Sequence, residues 1–427
     1  MSRGRLLAAL GAVMLFAVFT GQALAKNAEK ASFAEFEEID NSVACTSGGN
    51  SSRPLILPDG YSQTIVAREP EGGTRDLWDM NTLNETGRDA GRYLYRTHEV
   101  APFSQVSVTD LRRGGTRIVA ERADWERFDG IVWTPWGTIL AAEEVIRSTL
   151  GDPSAPQARA GLVYEINPRT GNSVVLPAIG SRSHEGLRFD EEGNLYGISE
   201  AAPPTGGYIY KFTPDRPGNL RSGQLFVLRL NTPTSARLGA ATWVPFDRTA
   251  VQVDSDAAAT AVGATGYARP EDVETGAGRF REDPLDNTLY VAITGEDRVL
   301  AIDLGSNNSS TAVISDYVRA PGNAPEGFDS PDNLALDQEG NLLIAEDPGS
   351  TFAGGKRLGD DVWAATPPFI SDGEAEEVTR FASTTDCDAE PTGIYFDRSG
   401  KTLFVNIQHR GGDGADLAVA VRKLGHR

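Results

Sequence analysis

Sulfur, histidine and positive charge are all scarce in this chain. Its 427 residues include 2 cysteines, 3 methionines and 4 histidines, and 40 Lys and Arg stand against 60 Asp and Glu, a formal net charge of −20. Cys45 and Cys387 belong to no C-x-x-C pattern, so a zinc knuckle or a dithiol redox motif has no support. The acidic excess argues against nucleic acid or an anionic membrane as partner, because both demand cationic faces. No G-x-S-x-G elbow, H-E-x-x-H pair or P-loop occurs, which removes the chemistries those motifs serve. Long apolar runs are also missing, with one exception at the N-terminus. There residues 6–19 follow Arg3 and Arg5 and precede Ala23-Leu24-Ala25. That run is short for a membrane span, and the small-x-small triplet ahead of Lys26 reads as a cleavage site.

The sequence therefore predicts a signal peptide over 1–25 and an N-terminal extension over 26–70. The mature chain is expected to be periplasmic or secreted, with no membrane insertion. Gly4 separates the two arginines, so the leader is not of the twin-arginine kind. In an oxidising compartment Cys45 and Cys387 have two options, a disulfide or two separate thiols.

What the chain has in quantity is turns, with 46 glycines and 24 prolines, and a repeated strand pattern. The clearest copy is SHEGLRFDEEGNLYGISE over 183–200: an apolar strand, a tight turn at 192–194, and a second strand ending in a carboxylate. Two antiparallel strands joined by a short turn bring the start of the first and the end of the second to one sheet edge. The pattern recurs over 128–144, 330–347 and 390–409, with weaker copies over 77–99 and 269–296. Polar residues bracket each copy: Asp79 with His98 and Glu99, Asp129 with Glu143 and Glu144, Glu185 with Glu200, Glu271 with Glu296, Asp332 with Glu346 and Asp347, and Glu390 with His409.

The second-strand leucines, Leu94, Leu140, Leu195, Leu289, Leu342 and Leu403, recur at about fifty residues with one long gap after Leu195, a period typical of propeller blades. The expected fold is thus all-β, a six-bladed β-propeller over 71–427, with an insertion around 215–268 between the third and fourth blades, that stretch being read as a blade's outer strands plus a segment over one face. Inner strands of a propeller line a central channel, so the leading carboxylates should form a ring at one mouth. Packed there without cations they would repel one another and take up protons. Carboxylate-dominated coordination favours hard cations such as Ca2+, which takes roughly six to eight oxygens.

The motifs TPWGTILAAEE, SHEG, RPED, SPDNLALD and EPTGIYFDRSGKTLFVNIQHRGG, in that order, resemble those of the PhoX-type alkaline phosphatases. The resemblance runs from about His98 to the C-terminus. It implies a six-bladed propeller whose mouth holds calcium and ferric ions and hydrolyses phosphomonoesters outside the cytoplasm. Carried over motif by motif, it makes Glu144, Glu185, Glu271 and Asp332 metal ligands and Arg269 the phosphate-contacting arginine. Arg269, Glu144 and Glu185 are then the catalytic candidates. Glu99, Glu346, Asp347 and Glu390 form a second tier of metal ligands. A planar guanidinium fork suits two phosphoryl oxygens, although a salt bridge to a ring carboxylate is the other role open to Arg269.

Asp129 occupies the position where the family has an iron-ligating cysteine. Calcium is therefore the expected metal, with Fe3+ as a further ion. RPED stands in place of RPEG, and Thr97 in place of Asn. The implied mechanism is metal-assisted phosphoryl transfer to a small phosphorylated substrate by a monomer. Two other readings stay open. One is a calcium-dependent propeller hydrolase of lactonase or organophosphatase type, for which Asn333 would suit as a ligand; the other is a non-catalytic calcium-stabilised binding propeller.

Overall fold

The computed structural model describes residues 33–276, 287–305, 309–347, 352–353, 356–368, 373–412 and 414–424. The signal peptide expected over 1–25 lies outside the described residues. No helix among the described residues is long and apolar enough to cross a membrane.

The strand–turn–strand unit forms as its sequence dictates. Leu187–Phe189 pairs antiparallel with Leu195–Ile198, Phe189 facing Leu195. The turn between them closes through Asp190, whose carbonyl accepts the Gly193 N–H at 3.1 Å and whose Oδ1 accepts the Asn194 N–H at 2.8 Å. Gly193 has φ 82°, a left-handed value that glycine adopts without a Cβ penalty. The same device recurs with Asp337 and Gly340, and with Asp397 and Gly400.

Third and fourth strands extend these hairpins outward into sheets. One sheet runs Trp78–Leu83, Tyr93–His98, Gln105–Asp110, Thr116–Glu121; another runs Phe128–Trp133, Ile139–Glu143, Val163–Ile166, Ser173–Val175. A third contains Pro331–Leu336, Leu342–Glu346, Asp361–Thr366 and Glu377–Thr384, with Leu55–Ile56 added at its edge. The last sheet joins both ends of the chain: Glu390–Phe396, Thr402–Gln408 and Leu417–Lys423, then Tyr61–Arg68 outermost. Tyr61 faces Lys423 and Arg68 faces Leu417, so main-chain hydrogen bonds close the ring. The domain therefore begins before residue 71, because part of the expected extension is sheet. Cys45 and Cys387 form a disulfide.

The remaining strands do not form two separate blades. Leu187–Phe189, Leu195–Ile198, Ile209–Arg216, Asn219–Leu230 and Gly239–Pro245 continue into Thr311–Arg319, Arg298–Asp303, Thr288–Ile293 and Pro270–Thr275 as one nine-stranded sheet. Gly239–Pro245 is the bridge, pairing with the strand before it and with Thr311–Arg319. The outer strands expected within 215–268 are therefore present as Asn219–Leu230 and Gly239–Pro245. The rest includes a short helix, Ser255–Ala261, N-capped by Asp254, whose Asp256 accepts hydrogen bonds from Ser199 Oγ and Tyr210 Oη at 2.5 and 2.6 Å.

The innermost strands form a closed circuit: Trp78–Leu83 against Phe128–Trp133, then Leu187–Phe189, Pro270–Thr275, Pro331–Leu336, Glu390–Phe396, and back to the first. This is an all-β, propeller-like arrangement. The repeated second-strand leucines are all buried, none more than 2% exposed. Each such side chain contributes about 1.5–3 kcal/mol by leaving water.

Candidate metal centre at the channel mouth

Four sheets turn into their innermost strand through the same strained corner. Leu77, Arg127, Arg269 and Ser330 have φ of 57°, 46°, 50° and 42°, a left-handed conformation that is uncommon for residues with a Cβ. The carbonyl of each accepts the N–H of the residue just past the neighbouring second strand: Glu99 to Leu77 at 2.9 Å, Glu144 to Arg127 at 2.9 Å, Thr294 to Arg269 at 2.9 Å and Asp347 to Ser330 at 3.0 Å. Glu200 makes the same closure to Ser183 at 3.1 Å. Sequence-distant acidic residues thus reach one edge.

A second repeated irregularity sits one residue later. The ladder shifts register between Trp78 and Asn81, Phe128 and Ile131, Pro270 and Val273, and Pro331 and Leu334. Asp79, Asp129, Glu271 and Asp332 fall inside these shifts. Bulges re-aim side chains, and here each carries the leading carboxylate. Glycine lets the strands approach: a Cβ on Gly130 would lie 2.0 Å from the Glu185 carbonyl oxygen, and one on Gly186 1.9 Å from Asp272 Oδ1.

The carboxylates so placed share one electrostatic environment. Burial pushes Asp129 well above the usual carboxylate range, and the charges of Asp79, Glu144, Glu99 and Asp332 add to it. Glu185 is raised by burial, then by Asp129, Glu271 and Asp332. Asp332 is raised by burial and by Glu271, Asp347, Glu390 and Asp79. Glu390 follows the same pattern, with Asp347 its largest neighbour. Burial and Glu99 push Glu144 up to about 10, and burial and Glu99 push Asp79 up to about 7. Burial raises Glu271 as well, against the opposing charge of Arg269.

Glu144, Glu185 and Glu200 each offer an oxygen within 4.8 Å of the others. Asp129 Oδ1 is buried with no hydrogen-bond donor. Such an oxygen calls for a proton or a cation. The donor set, all oxygen and buried or half-buried, fits hard metal ions.

Two guanidiniums span this mouth, both half-exposed. Arg269 donates to Glu200 Oε1 and Asp347 Oδ2 at 3.0 Å each and pairs with Glu271 Oε1. Arg127, not anticipated from the sequence, donates to Glu99 Oε1 at 2.5 Å and Glu144 Oε2 at 2.6 Å. Its only signal was position, immediately ahead of an innermost strand, as Arg269 is.

Several of the polar residues that bracket the repeats, and one expected ligand, turn elsewhere. Glu346 points into its own sheet, accepting from Trp363 Nε1 at 2.6 Å and from the Asp361 and Asp329 N–H groups at 3.0 and 3.1 Å, so it is not a ring residue. Strand alternation explains this: Asp347, its neighbour, takes the mouth side. Glu143 likewise accepts the Glu126 and Leu162 N–H groups at 2.9 and 3.0 Å, leaving the mouth to Glu144. Glu296 binds Arg298 at 2.6 Å and the Ala268 N–H at 2.7 Å. Thr294 stands at the corner instead and donates to Glu271 Oε2. His98 is buried against Trp78, its nitrogens at 2.7 Å from the Arg75 carbonyl and 2.8 Å from Ser107 Oγ, and burial pushes it down to about 3. Glu390 faces His409 at 3.7 Å on the rim.

The departures at 272 and 97 have structural roles. Asp272 accepts the Val273 and Leu334 N–H groups at 2.7 and 2.9 Å, tying two innermost strands. Thr97 Oγ1 donates to the Asp129 carbonyl at 2.5 Å. A cavity of about 740 Å³ lined by Trp133, Arg188, Glu274 and Tyr395 sits at the far ends of the innermost strands, away from the carboxylates.

An all-β ring of strands with a buried acidic mouth defines the class. The family model described as alkaline phosphatase PhoX matches residues 132–315 and 297–411, and the chain belongs to that family. Among solved structures, PhoX of Pseudomonas fluorescens in complex with vanadate, a transition state analogue, is 18% identical, covering 91% of this chain and 98% of that one with a TM-score of 0.66. At that identity the likeness concerns the fold. The gluconolactonase XC5397 of Xanthomonas campestris is 14% identical, covering 90% and 99%, with a TM-score of 0.49. No curated protein matches by sequence.

Proposed function

We propose that the protein is an exported, metal-dependent phosphatase that hydrolyses small phosphomonoesters at the acidic mouth. The observation that carries this reading is the convergence of buried carboxylates, one with an oxygen lacking any donor, between two half-exposed guanidiniums in a chain of the PhoX family. Asp129, Glu144, Glu185, Glu271 and Asp332 would hold the ions, with Asp79, Glu99, Glu200, Asp347 and Glu390 around them. Ca2+ suits this oxygen set; Fe3+ is the further ion to look for, with carboxylate rather than thiolate at Asp129. Bound cations would neutralise phosphate oxygens and the charge that develops in the transition state.

The chain's own residues do the rest. Arg269 and Arg127 present planar forks to the phosphate, each exchanging carboxylate partners for phosphoryl oxygens as substrate enters. Thr294 fixes the Glu271 carboxylate through its hydroxyl. Burial of Thr294 and Glu271 strengthens that contact.

The lactonase-type reading loses its ligand. Asn333 Oδ1 accepts from Thr392 Oγ1 at 2.7 Å and from the Gly393 N–H, while Nδ2 donates to Asp332 Oδ1 at 2.8 Å, so the amide serves as wall. On the proposed phosphatase reading, the nine-stranded sheet is a third and a fourth blade joined at their edges, giving six blades. The leader is cleaved near Ala25, and the mature monomer works in the periplasm or outside the cell.

Hydrolysis of p-nitrophenyl phosphate and of a simple lactone, before and after chelation, tests the proposal. Chelator-sensitive phosphate release is expected. Lactone turnover without phosphate release would overturn it.

A further inference from the structure

A second group of carboxylates lies where the ring closes. Glu69 follows the outermost strand Tyr61–Arg68, Asp416 precedes the last strand Leu417–Lys423, and Asp76 lies just ahead of the first innermost strand Trp78–Leu83. One oxygen of each lies within 4.8 Å of the others. Calcium–oxygen distances of about 2.3–2.6 Å place oxygens on opposite sides of one ion about 5 Å apart, so this spacing admits a shared ion.

The cluster alone would prove little, since acidic groups often sit together at a surface. Asp416 supplies the independent observation. Its residue is 0% exposed; Oδ2 accepts the Trp78 N–H at 2.8 Å, and Oδ1 is buried with no hydrogen-bond partner. A buried carboxylate oxygen without a donor is costly unless a cation or proton meets it.

Glu69 is held in place on both sides, its N–H donating to the Asp416 carbonyl at 3.0 Å and its Oε2 accepting the Asp416 N–H at 3.2 Å. Asp76 is exposed, and its Oδ1 accepts the Leu77 N–H at 3.0 Å. Two guanidiniums reach Asp416 by charge: Arg410 donates to the carbonyls of Ala415 and Gly48 at 2.7 and 3.2 Å, and the buried Arg96 lies over the Trp78 ring with its Nε donating to Asn406 Oδ1 at 3.3 Å.

We propose that Glu69, Asp76 and Asp416 form a divalent-cation site, of calcium type, that clips Tyr61–Arg68, Leu417–Lys423 and the innermost strand Trp78–Leu83 together. Three carboxylates on a partly open surface supply hard oxygens on one side and leave room for water on the other, the usual composition of a calcium site. The ion would bind only when both chain ends are in register. Ligands that bind only the native state stabilise it by mass action. The site is separate from the mouth carboxylates and does not depend on the phosphatase reading.

The test uses the full mature chain and calcium alone as probe. Bound calcium is counted after equilibrium dialysis, and Tm is followed against calcium for the native chain, Asp416→Asn, Asp76→Asn and the mouth variant Glu185→Gln. Asp416→Asn and Asp76→Asn are each expected to lose one calcium equivalent and part of the calcium-dependent rise in Tm. Both should keep phosphate-ester turnover at saturating calcium. Asp76→Asn, at an exposed position, decides the matter if Asp416→Asn fails to fold. Native calcium stoichiometry and a native calcium-dependent rise in Tm in that variant would overturn the proposal.

Discussion

Arg127 and Arg269 stand at the same corner of two different sheets. Each is the left-handed residue immediately before an innermost strand, with φ of 46° and 50°, and each carbonyl accepts a corner N–H at 2.9 Å. Each guanidinium spans carboxylates from neighbouring sheets, Glu99 and Glu144 for Arg127, and Glu200, Glu271 and Asp347 for Arg269. Non-glycine residues in this conformation cost of order 1–3 kcal/mol and cluster at functional sites.

This equivalence predicts matching losses. Arg269→Ala and Arg127→Ala should each keep the bound metal and lower kcat/KM for a phosphomonoester by about 10- to 100-fold, the equivalent of a charge-assisted hydrogen bond of about 1.5–3 kcal/mol. Elemental analysis beside steady-state kinetics checks it. Loss of metal in either variant would assign that arginine a purely structural role.

Glu346 should behave differently from its neighbours in the ring. Glu346→Leu removes a buried acceptor of three N–H groups and is expected to destabilise the fold by about 1–3 kcal/mol or more, with metal content unchanged. Denaturant unfolding and metal analysis of the variant would show this. A stable variant short of metal would return Glu346 to the ring.

Proton uptake by the ring sets a pH dependence in the chelated protein. Asp79 is pushed up to about 7 and Glu144 to about 10, and Asp129, Glu185, Glu271, Asp332 and Glu390 are raised too, chiefly by burial. Unfolded carboxyls titrate near 4, so between these limits the folded chain binds more protons than the unfolded one. The ring's own contribution to stability without metal is therefore fullest below about pH 4 and is lost as pH rises toward about 10. Calcium requires the ionised ligands, so its stabilising effect grows over the same range. Melting curves with chelator and with calcium at about pH 5, 7 and 9 should separate progressively. A chelated Tm that does not fall with pH would contradict this.

Much of the fold was legible because it rests on period and turn chemistry. Asp190-x-x-Gly193 and its relatives fix the hairpins, and the leucines at 94, 140, 195, 289, 342 and 403 are all buried as their spacing implies. The joining of two sheets by Gly239–Pro245 was not legible, since strand partners across a long connection leave no local signature. In the site, the leading carboxylates could be picked out because each begins a repeat. Tandem acids were harder: in Glu143-Glu144 and Glu346-Asp347 one residue faces the sheet and the other the mouth, and sequence does not say which. Thr294 was passed over for Glu296 because the corner is defined by a backbone hydrogen bond. Arg127 was hidden for the same reason.

On the proposed function, the mouth carboxylates hold the metal on which phosphoester hydrolysis depends. Glu185 is the residue to test, since it lies within reach of Glu144 and Glu200 and is raised by Asp129, Glu271 and Asp332 together. Bound metal and p-nitrophenyl phosphate turnover should be measured on the same preparations of the native chain and Glu185→Gln. The account predicts that both fall together, because a neutral amide weakens a shared carboxylate site. Full metal content with full activity in the variant would contradict it.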